Sequence, residues 1–567
     1  MGRERYALLF QPGVYGSATE PLMIQIGYYT EVAGLGQSPQ DVRIMGKIEV
    51  YNRCFEKDPY QDGKFIPTDN SEEGLCFALN SFWRGLSNLS IQIITPGYQD
   101  TCRATAMFWA ISQAASMRRV SIEGGDVSLM DYCSNPAYAS GGFIADSKIG
   151  GKIISGSQQQ FLTRNSNVGE WSGSAWNQVL LGVTGAPADD SKYPDPAITT
   201  IESNPANRER PWLYVDDAGA YNVFVPAFTS DTKDTSWSLN GGTPGKSIPI
   251  SDFYVAKPGD AVSEINEQLS AGKHLLLTPG VYDADESILV ERADTVVLGL
   301  GIATLTAVNG AVPLKVSSQP GIIVAGVTFD GGLTLSPVLL QVGALGDPLT
   351  SNGDPNNPIT LSDVYFRIGG PHIGKSNVCL EINSNHVLVD HTWVWRADHG
   401  VEDFDKSDGF DGDNERWATN TGLNGVIVNG NDVTATGLFV EHFQEYNLCW
   451  NGERGRVFFF QNELPYEPPS QAEWTADDGT LGWAAYKVSD AVTEHELWCG
   501  GVYCYNRNNP DVVTVNAFEV PERDGVVLNR IYTRNLSGPG TIQHIVNGVG
   551  RSVTDAEKGP FYVIQYP

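Results

Sequence analysis

The sequence predicts an all-β protein built from two parallel β-helices in tandem, and three observations carry that expectation. First, YALLFQPGVYG at Tyr6 to Gly16 returns as KHLLLTPGVYD at Lys273 to Asp283, and each copy runs on to a glycine step, VAGLG ending at Gly36 and VLGLG ending at Gly301. The spacing agrees too, with 24 residues from Pro12 to Gly36 and 22 from Pro279 to Gly301, so the likeness spans a strand, a turn and the next strand. Repetition on that scale marks one architecture used twice. Second, short β-rich runs return at roughly 20 to 30 residues, the span of one coil of a solenoid that buries its inner face only by stacking on the next. Third, 61 Gly, 32 Pro, 10% aromatic and only 18% charged residues in a chain of 567 favour short strands and tight turns over helical bundles. A β-sandwich ranks second, because it more often shows hairpin turns such as Asn-Gly between alternating strands.

The elements follow in order. Residues 1–200 form the expected first helix, with strands in LMIQIGYY, VRIMGKIEVY, LSIQIIT, RRVSIEGG and WNQVLLGVTG. Residues 201–258 are expected to be an inter-domain linker, since the Pro, Ser and Asp content from about Gly185 onward reads as a crossing with little core of its own. Residues 259–567 form the second helix. It opens on AVSEINEQLSAG, where Val262, Ile265 and Leu269 share a helical face and Gly272 ends the run, a cap for the open end of a solenoid. The first copy has only five residues ahead of Tyr6, so a matching cap is not expected there.

Composition excludes several functions. A net charge of −30 argues against nucleic acid, whose phosphates need clustered Lys and Arg, and suits a neutral, sugar-like ligand. No run approaches the roughly 18 apolar residues of a membrane helix, and no signal-peptide pattern follows Met1. The eight cysteines lack paired CxxC spacing, so no metal and no cofactor is expected; an even count is compatible with disulfides and equally with buried thiols.

The candidate chemistry lies mostly in the second half. Glu463 follows the aromatic strand Val457 to Phe460 in VFFFQNELPYEPP, where an apolar wall disfavours a carboxyl's charged form and suits it to donate a proton; the alternative is a glutamate on a solvated turn. Glu441, in GLFVEHFQEY, stands 22 residues earlier, one coil away, and equivalent positions on successive rungs stack at about 4.8 Å. Paired carboxylates are the working parts of most glycosidases. In the first half Gln113, Ser140 and the run Gln158, Gln159 and Gln160 could hydrogen-bond sugar hydroxyls or fix a water, or could form internal amide ladders. Among the tryptophans, Trp450 between the two glutamates is the candidate substrate platform. The loop carrying Asp398, Asp403, Asp405, Asp408, Asp411 and Asp413 reads as a solvated acidic rim, without EF-hand spacing. His391 and His399 come nearest to a histidine pair there, and neither a Ser-His-Asp arrangement nor a Gly-rich phosphate loop can be argued.

Taken together, PGVYG, GYYTEVAGLGQSPQDV, ALNSFWRGLSNL, MFWAISQAASMRRV, ASGGFIADSKIGGKIISGSQQQFLTRN, PWLYVDD and FFQNELPYEPP resemble glycoside hydrolase family 55, the exo-acting β-1,3-glucanases. The resemblance covers nearly the whole chain. It implies two right-handed, pectate-lyase-like β-helices packed side by side with the active site between them. It also implies a secreted protein, expected as a monomer, that releases glucose or short products from the non-reducing end of laminarin-like glucan with inversion. On that resemblance Glu463 takes the place of the general acid, with Tyr466 just beyond it, and Glu441 that of the second acidic residue. Gln113 and Ser140 look like the groups that hold the attacking water, and Gln158 to Gln160 could line the sugar pocket. One rung between the glutamates is nearer the roughly 5 Å of retaining enzymes than the 6.5 to 9.5 Å of inverting ones, so inversion would need the water held by Ser140 and Gln113. The rivals are a calcium-dependent polysaccharide lyase working at Asp405 and a glucan-binding adhesion protein without activity.

Overall fold

The computed structural model describes residues 4–52, 60–61, 64–65, 81–95, 102, 104, 106–133, 139–156, 159–173, 175–187, 191–238, 241–346, 353–398 and 416–567. The chain divides into two compact units, Met1–Ser251 and Asp252–Pro567, and each contains a parallel β-helix. In the first, the strands Tyr6–Phe10, Thr30–Gly34, Arg84–Gln92, Ala115–Glu123, Phe143–Ala145, Gln160–Arg164, Asn177–Leu181 and Ile198–Ile201 pair in chain order, all in parallel. In the second, two long sheets run the length of the unit, and each strand pairs with the one a coil later. The final strand, Phe561–Tyr566, pairs antiparallel with Val526–Asn535 and closes that end.

The repeated sequence segment is a repeated structure. Phe10 pairs with Gly34 and Leu277 pairs with Gly299, so the two copies keep one register. Tyr15 donates its hydroxyl to the Gln11 carbonyl at 3.0 Å, and Tyr282 donates to the Thr278 carbonyl at 2.9 Å, the same bond closing the same turn. The glycine steps share a cause as well. A Cβ on Gly34 would sit 2.1 Å from the Asn88 carbonyl oxygen, and one on Gly299 would sit 2.3 Å from that of Gly326, so the neighbouring coil's backbone leaves no room for a side chain.

From Asn88 in the first unit and Gly326 in the second, successive coils turn a corner through a left-handed residue. Asn88, Arg119, Asp146, Asn165 and Gly182 form this column in the first unit, and Gly326, Asp363, His391, Gly437, Phe459, Cys499 and Arg530 form it in the second. Asn, Asp and Gly accept that conformation readily; Phe459 and Cys499 do not, and are held there by the paired strands on either side. Stacked amides brace the second unit. Asn451 donates to Asn429 at 2.8 Å and Asn429 donates to Asn383 at 2.7 Å, one amide per coil.

The helix expected at the start of the second unit forms over Val262–Ser270, with Val262, Ile265 and Leu269 buried on the first coil of its core. The stretch from 201 onward lies largely within the first unit and has structure of its own. Trp212–Val215, Tyr221–Pro226 and Gly245–Pro249 make a three-stranded antiparallel sheet, with Trp212, Tyr214 and Phe224 packed together. It is fastened to the coils by buried charge. Arg164 reaches Glu209 through two hydrogen bonds of 2.6 and 3.0 Å, and Arg119 pairs with Asp146, which accepts from Ser236 Oγ at 2.9 Å.

Cysteines appear in both forms the sequence allowed. Cys102 and Cys133 form a disulfide, while Cys379, Cys499 and Cys504 are buried thiols and Cys449 a half-buried one. Cys54 and Cys76 lie outside the described residues. Among the described residues no helix is long and apolar enough to cross a membrane, and no cluster of His, Cys, Asp or Glu is arranged to hold a metal ion.

Candidate active site

Glu441 and Glu463 each end a strand, Thr434–Glu441 and Gly455–Glu463, whose register pairs Leu438 with Phe460 and Phe439 with Gln461. The same offset sets the two glutamates on adjacent rungs, and the backbone N–H of His442 donates to the Glu463 carbonyl at 2.8 Å to lock that step. Their alternation is also shared. Val440 and Phe460 face the hydrophobic core of the unit, so the glutamates face the other way. That side is closed to water as well, leaving Glu441 3% and Glu463 7% exposed.

A buried carboxyl beside a second one resists ionising. Burial pushes Glu441 well above the usual carboxylate range, and the neighbouring Glu463 adds to the effect. Two groups oppose that by favouring the carboxylate: the Trp393 indole N–H, which donates to Glu441 Oε2 at 2.8 Å, and the Gln461 side chain. Glu463 has its own partners. The Tyr466 hydroxyl donates to its Oε2, and the phenol, buried and facing a carboxyl, is pushed well above its ordinary value and stays protonated.

Residues that sequence reasoning missed complete the cluster. Asp398, expected on a solvated rim, is fully buried. It accepts from the Tyr466 backbone N–H at 2.7 Å, and His442 Nδ1 lies 3.2 Å from the same oxygen. Glu467 is held by Arg396, whose Nη1 donates to Oε1 at 2.7 Å, and burial still raises it well above the usual range, with Asp398 adding to the rise. The signal available in the sequence was the run WVWRAD, which leaves the strand Val387–Arg396 directly for Asp398. Nothing in that run told a buried aspartate from the acidic residues after it. Asp403, Asp405, Asp408, Asp411, Asp413 and His399 lie outside the described residues. His391 is buried 2.7 Å from Asp363 and serves the corner column.

In the first unit the structure brings Gln113 and Ser140 together. The Ser140 hydroxyl donates to Gln113 Oε1 at 2.6 Å, and both side chains are buried. Gln159 and Gln160 are buried, and Gln160 begins the strand Gln160–Arg164; Gln158 lies outside the described residues. Trp450 requires a correction: it is not a platform but a core residue, 0% exposed. Its three-residue strand, Leu448–Trp450, stacks it in the column Val428, Trp450, Val488 on the inward parity, with its ring 4.9 Å from that of His495.

Comparison with known proteins shows the family of the chain. Residues 253–463 match the family model described as the LAM55 pectate lyase-like domain. An exo-β-1,3-glucanase from Streptomyces sp. (strain SirexAA-E / ActE) is 41% identical over 566 residues, covering 100% of this chain and 84% of that protein. A glucan 1,3-β-glucosidase from Cochliobolus carbonum is 24% identical over 308 residues, 45% of this chain and 37% of that one. The solved structure of sacteLam55A from Streptomyces sp. SirexAA-E superposes with a TM-score of 0.87 at 39% identity over 100% of this chain and 93% of that one. A variant of the same enzyme in complex with glucose gives a TM-score of 0.86 at 40% identity, covering 100% of this chain and 93% of that one. With sequence identity at this level along the entire chain and the same fold across it, the chain belongs to glycoside hydrolase family 55.

Proposed function

We propose that this chain is a glycoside hydrolase acting on β-1,3-glucan as an exo-1,3-β-glucosidase, cutting from the non-reducing end with inversion. The observation that carries the reading is the carboxyl pair on adjacent rungs, Glu441 and Glu463, in a chain 41% identical over its full length to an exo-β-1,3-glucanase. Glu463 is the general acid that protonates the glycosidic oxygen, with Tyr466 donating to its other side. Glu441, buried and tied to Trp393, is the second acidic residue. Gln113 and Ser140, already bonded to each other, are the groups that hold the attacking water, and Gln159 and Gln160 belong to sugar recognition in the same reading.

Glu463→Gln keeps the shape of the side chain and removes its transferable proton. It should lower laminarin hydrolysis by about 10²- to 10⁴-fold with an unchanged unfolding midpoint, whereas near-normal turnover would sink the assignment. Inversion is read by NMR of the first product formed: the α-anomer of glucose is expected, and early accumulation of the β-anomer excludes it. The protein acts as a secreted monomer in this reading. The Cys102–Cys133 disulfide supports an oxidising compartment, and sedimentation of the purified protein tests the monomer.

A further inference from the structure

Two side chains gather on one carboxyl oxygen of Glu463. Tyr466 donates its hydroxyl to Oε2, and His442 Nε2 faces the same Oε2 at 3.8 Å. The imidazole is itself held. Its Nδ1 lies 3.2 Å from the Leu464 carbonyl oxygen and 3.2 Å from Asp398 Oδ2. A backbone carbonyl can only accept, so Nδ1 carries a proton. Asp398 Oδ2 also takes the Tyr466 backbone N–H at 2.7 Å, and the Tyr466 ring meets the His442 ring edge-on at 4.7 Å. The contacts close a loop: Glu463 to Tyr466, Tyr466 to Asp398, Asp398 to His442, and His442 back to Glu463. No residue in it can turn without breaking a contact made by another.

We propose that His442, clamped by Asp398, is a positioning residue for acid catalysis that, with Tyr466, holds Oε2 of Glu463 and so fixes the carboxyl for delivery of its proton. This rests on the hydrolase reading given above. In the step, the O–H bond of the Glu463 carboxyl breaks as the glycosidic oxygen gains the proton, and the bond from the anomeric carbon to that oxygen breaks with its electron pair going to the oxygen. The negative charge left on Glu463 is met at Oε2 by the Tyr466 hydroxyl and by His442. Both ring nitrogens of His442 face acceptor oxygens, an arrangement that the imidazolium satisfies with an N–H at each end and Asp398 as its counter-ion, so the ring takes up no further proton in the step. The 3.8 Å gap is a loose catalytic contact of the kind that tightens once substrate is bound.

The test separates positioning of the acid from general support of the fold. His442→Asn is the variant of choice. Asparagine tolerates the left-handed backbone that His442 adopts, with φ of 69°, and its amide can stand in for Nδ1 while nothing replaces Nε2. Two substrates are compared. Laminaritriose has a sugar leaving group that needs the proton, and β-glucosyl fluoride has one that departs without it. The expected result is a fall in kcat of about 10- to 100-fold on laminaritriose, with fluoride release kept within about threefold. Asp398→Asn should give the same split through the clamp and supplies a second variant if the first folds poorly. Equal falls on both substrates, or no fall on either, overturn the proposal while leaving the hydrolase reading intact. Failure of the unaltered protein to cleave laminaritriose overturns the hydrolase reading, and this proposal with it.

Discussion

Replacing His495 with Gln should remove a large part of the protein's sensitivity to acid. The imidazole is fully buried, its Nε2 2.6 Å from the Tyr486 hydroxyl and its ring 4.9 Å from that of Trp450. Burial with no countercharge lowers its pKa from 6.5 to about 3. Below pH 6.5 the unfolded chain therefore takes up a proton that the folded one refuses until about pH 3, so the contribution is intact above 6.5 and is lost as pH falls through that window. At about 1.4 kcal/mol per pH unit, descent to pH 4 costs about 3 kcal/mol, a large share of a typical folding free energy of about 5 to 15 kcal/mol. The amide oxygen of Gln can still accept from Tyr486, and nothing there titrates. The assay is urea unfolding of both proteins, followed by tryptophan fluorescence at pH 7.5, 5.5 and 4.0. The variant starts less stable because ring packing is lost, and the gap should close by about 3 kcal/mol on acidification. Glu441 and Glu467, raised by burial, push stability the other way, but both proteins contain them and the difference removes them. A gap that stays constant within about 0.5 kcal/mol across the series refutes the reasoning.

Three further outcomes are expected beside the Glu463→Gln test. Trp393→Phe takes away the N–H that favours ionised Glu441, so the acidic limb of kcat/KM against pH should move to higher pH; an unmoved limb shows that Glu441 does not govern it. Trp450→Ala empties a core site and should cost about 3 to 5 kcal/mol in chemical denaturation, with KM for laminarin unchanged in the folded fraction, whereas a raised KM would restore the platform role. Gly299→Ala forces a methyl against the Gly326 carbonyl, where 2.3 Å is available, and should lower the thermal midpoint clearly; Gly272→Ala, with open space around it, isolates the cost of its positive φ without a clash.

What could be read in the sequence divides along a physical line. The repeated turn, the coil architecture and the Glu441 to Glu463 step were legible because stacking on a β-helix turns a distance along the chain into a neighbour in space. The polar side of the site was not. Asp398 stands 44 residues before His442 and 65 before Glu463, and its acidic neighbours made it look like one more solvated carboxylate. Only the packing of Tyr466 and His442 against it reveals the burial. Trp450 was misread for a related reason. A three-residue strand carries too little alternation to tell inward from outward, and its parity emerges only from Val428 and Val488 on the coils to either side.

The corner column also measures how much chain each coil uses. From Gly326 to Arg530 the steps fall at Asp363, His391, Gly437, Phe459 and Cys499, and the shortest, 22 residues, is the one from Gly437 to Phe459 that joins Glu441 to Glu463. The other coils of this column are longer by 6 to 24 residues. The coil with the glutamates carries the least chain of this column. Strand pairing, rather than the length of the bends, fixes the step between them as the pitch of a screw fixes its advance, so reach and specificity can change around the pair while the pair keeps its rung spacing.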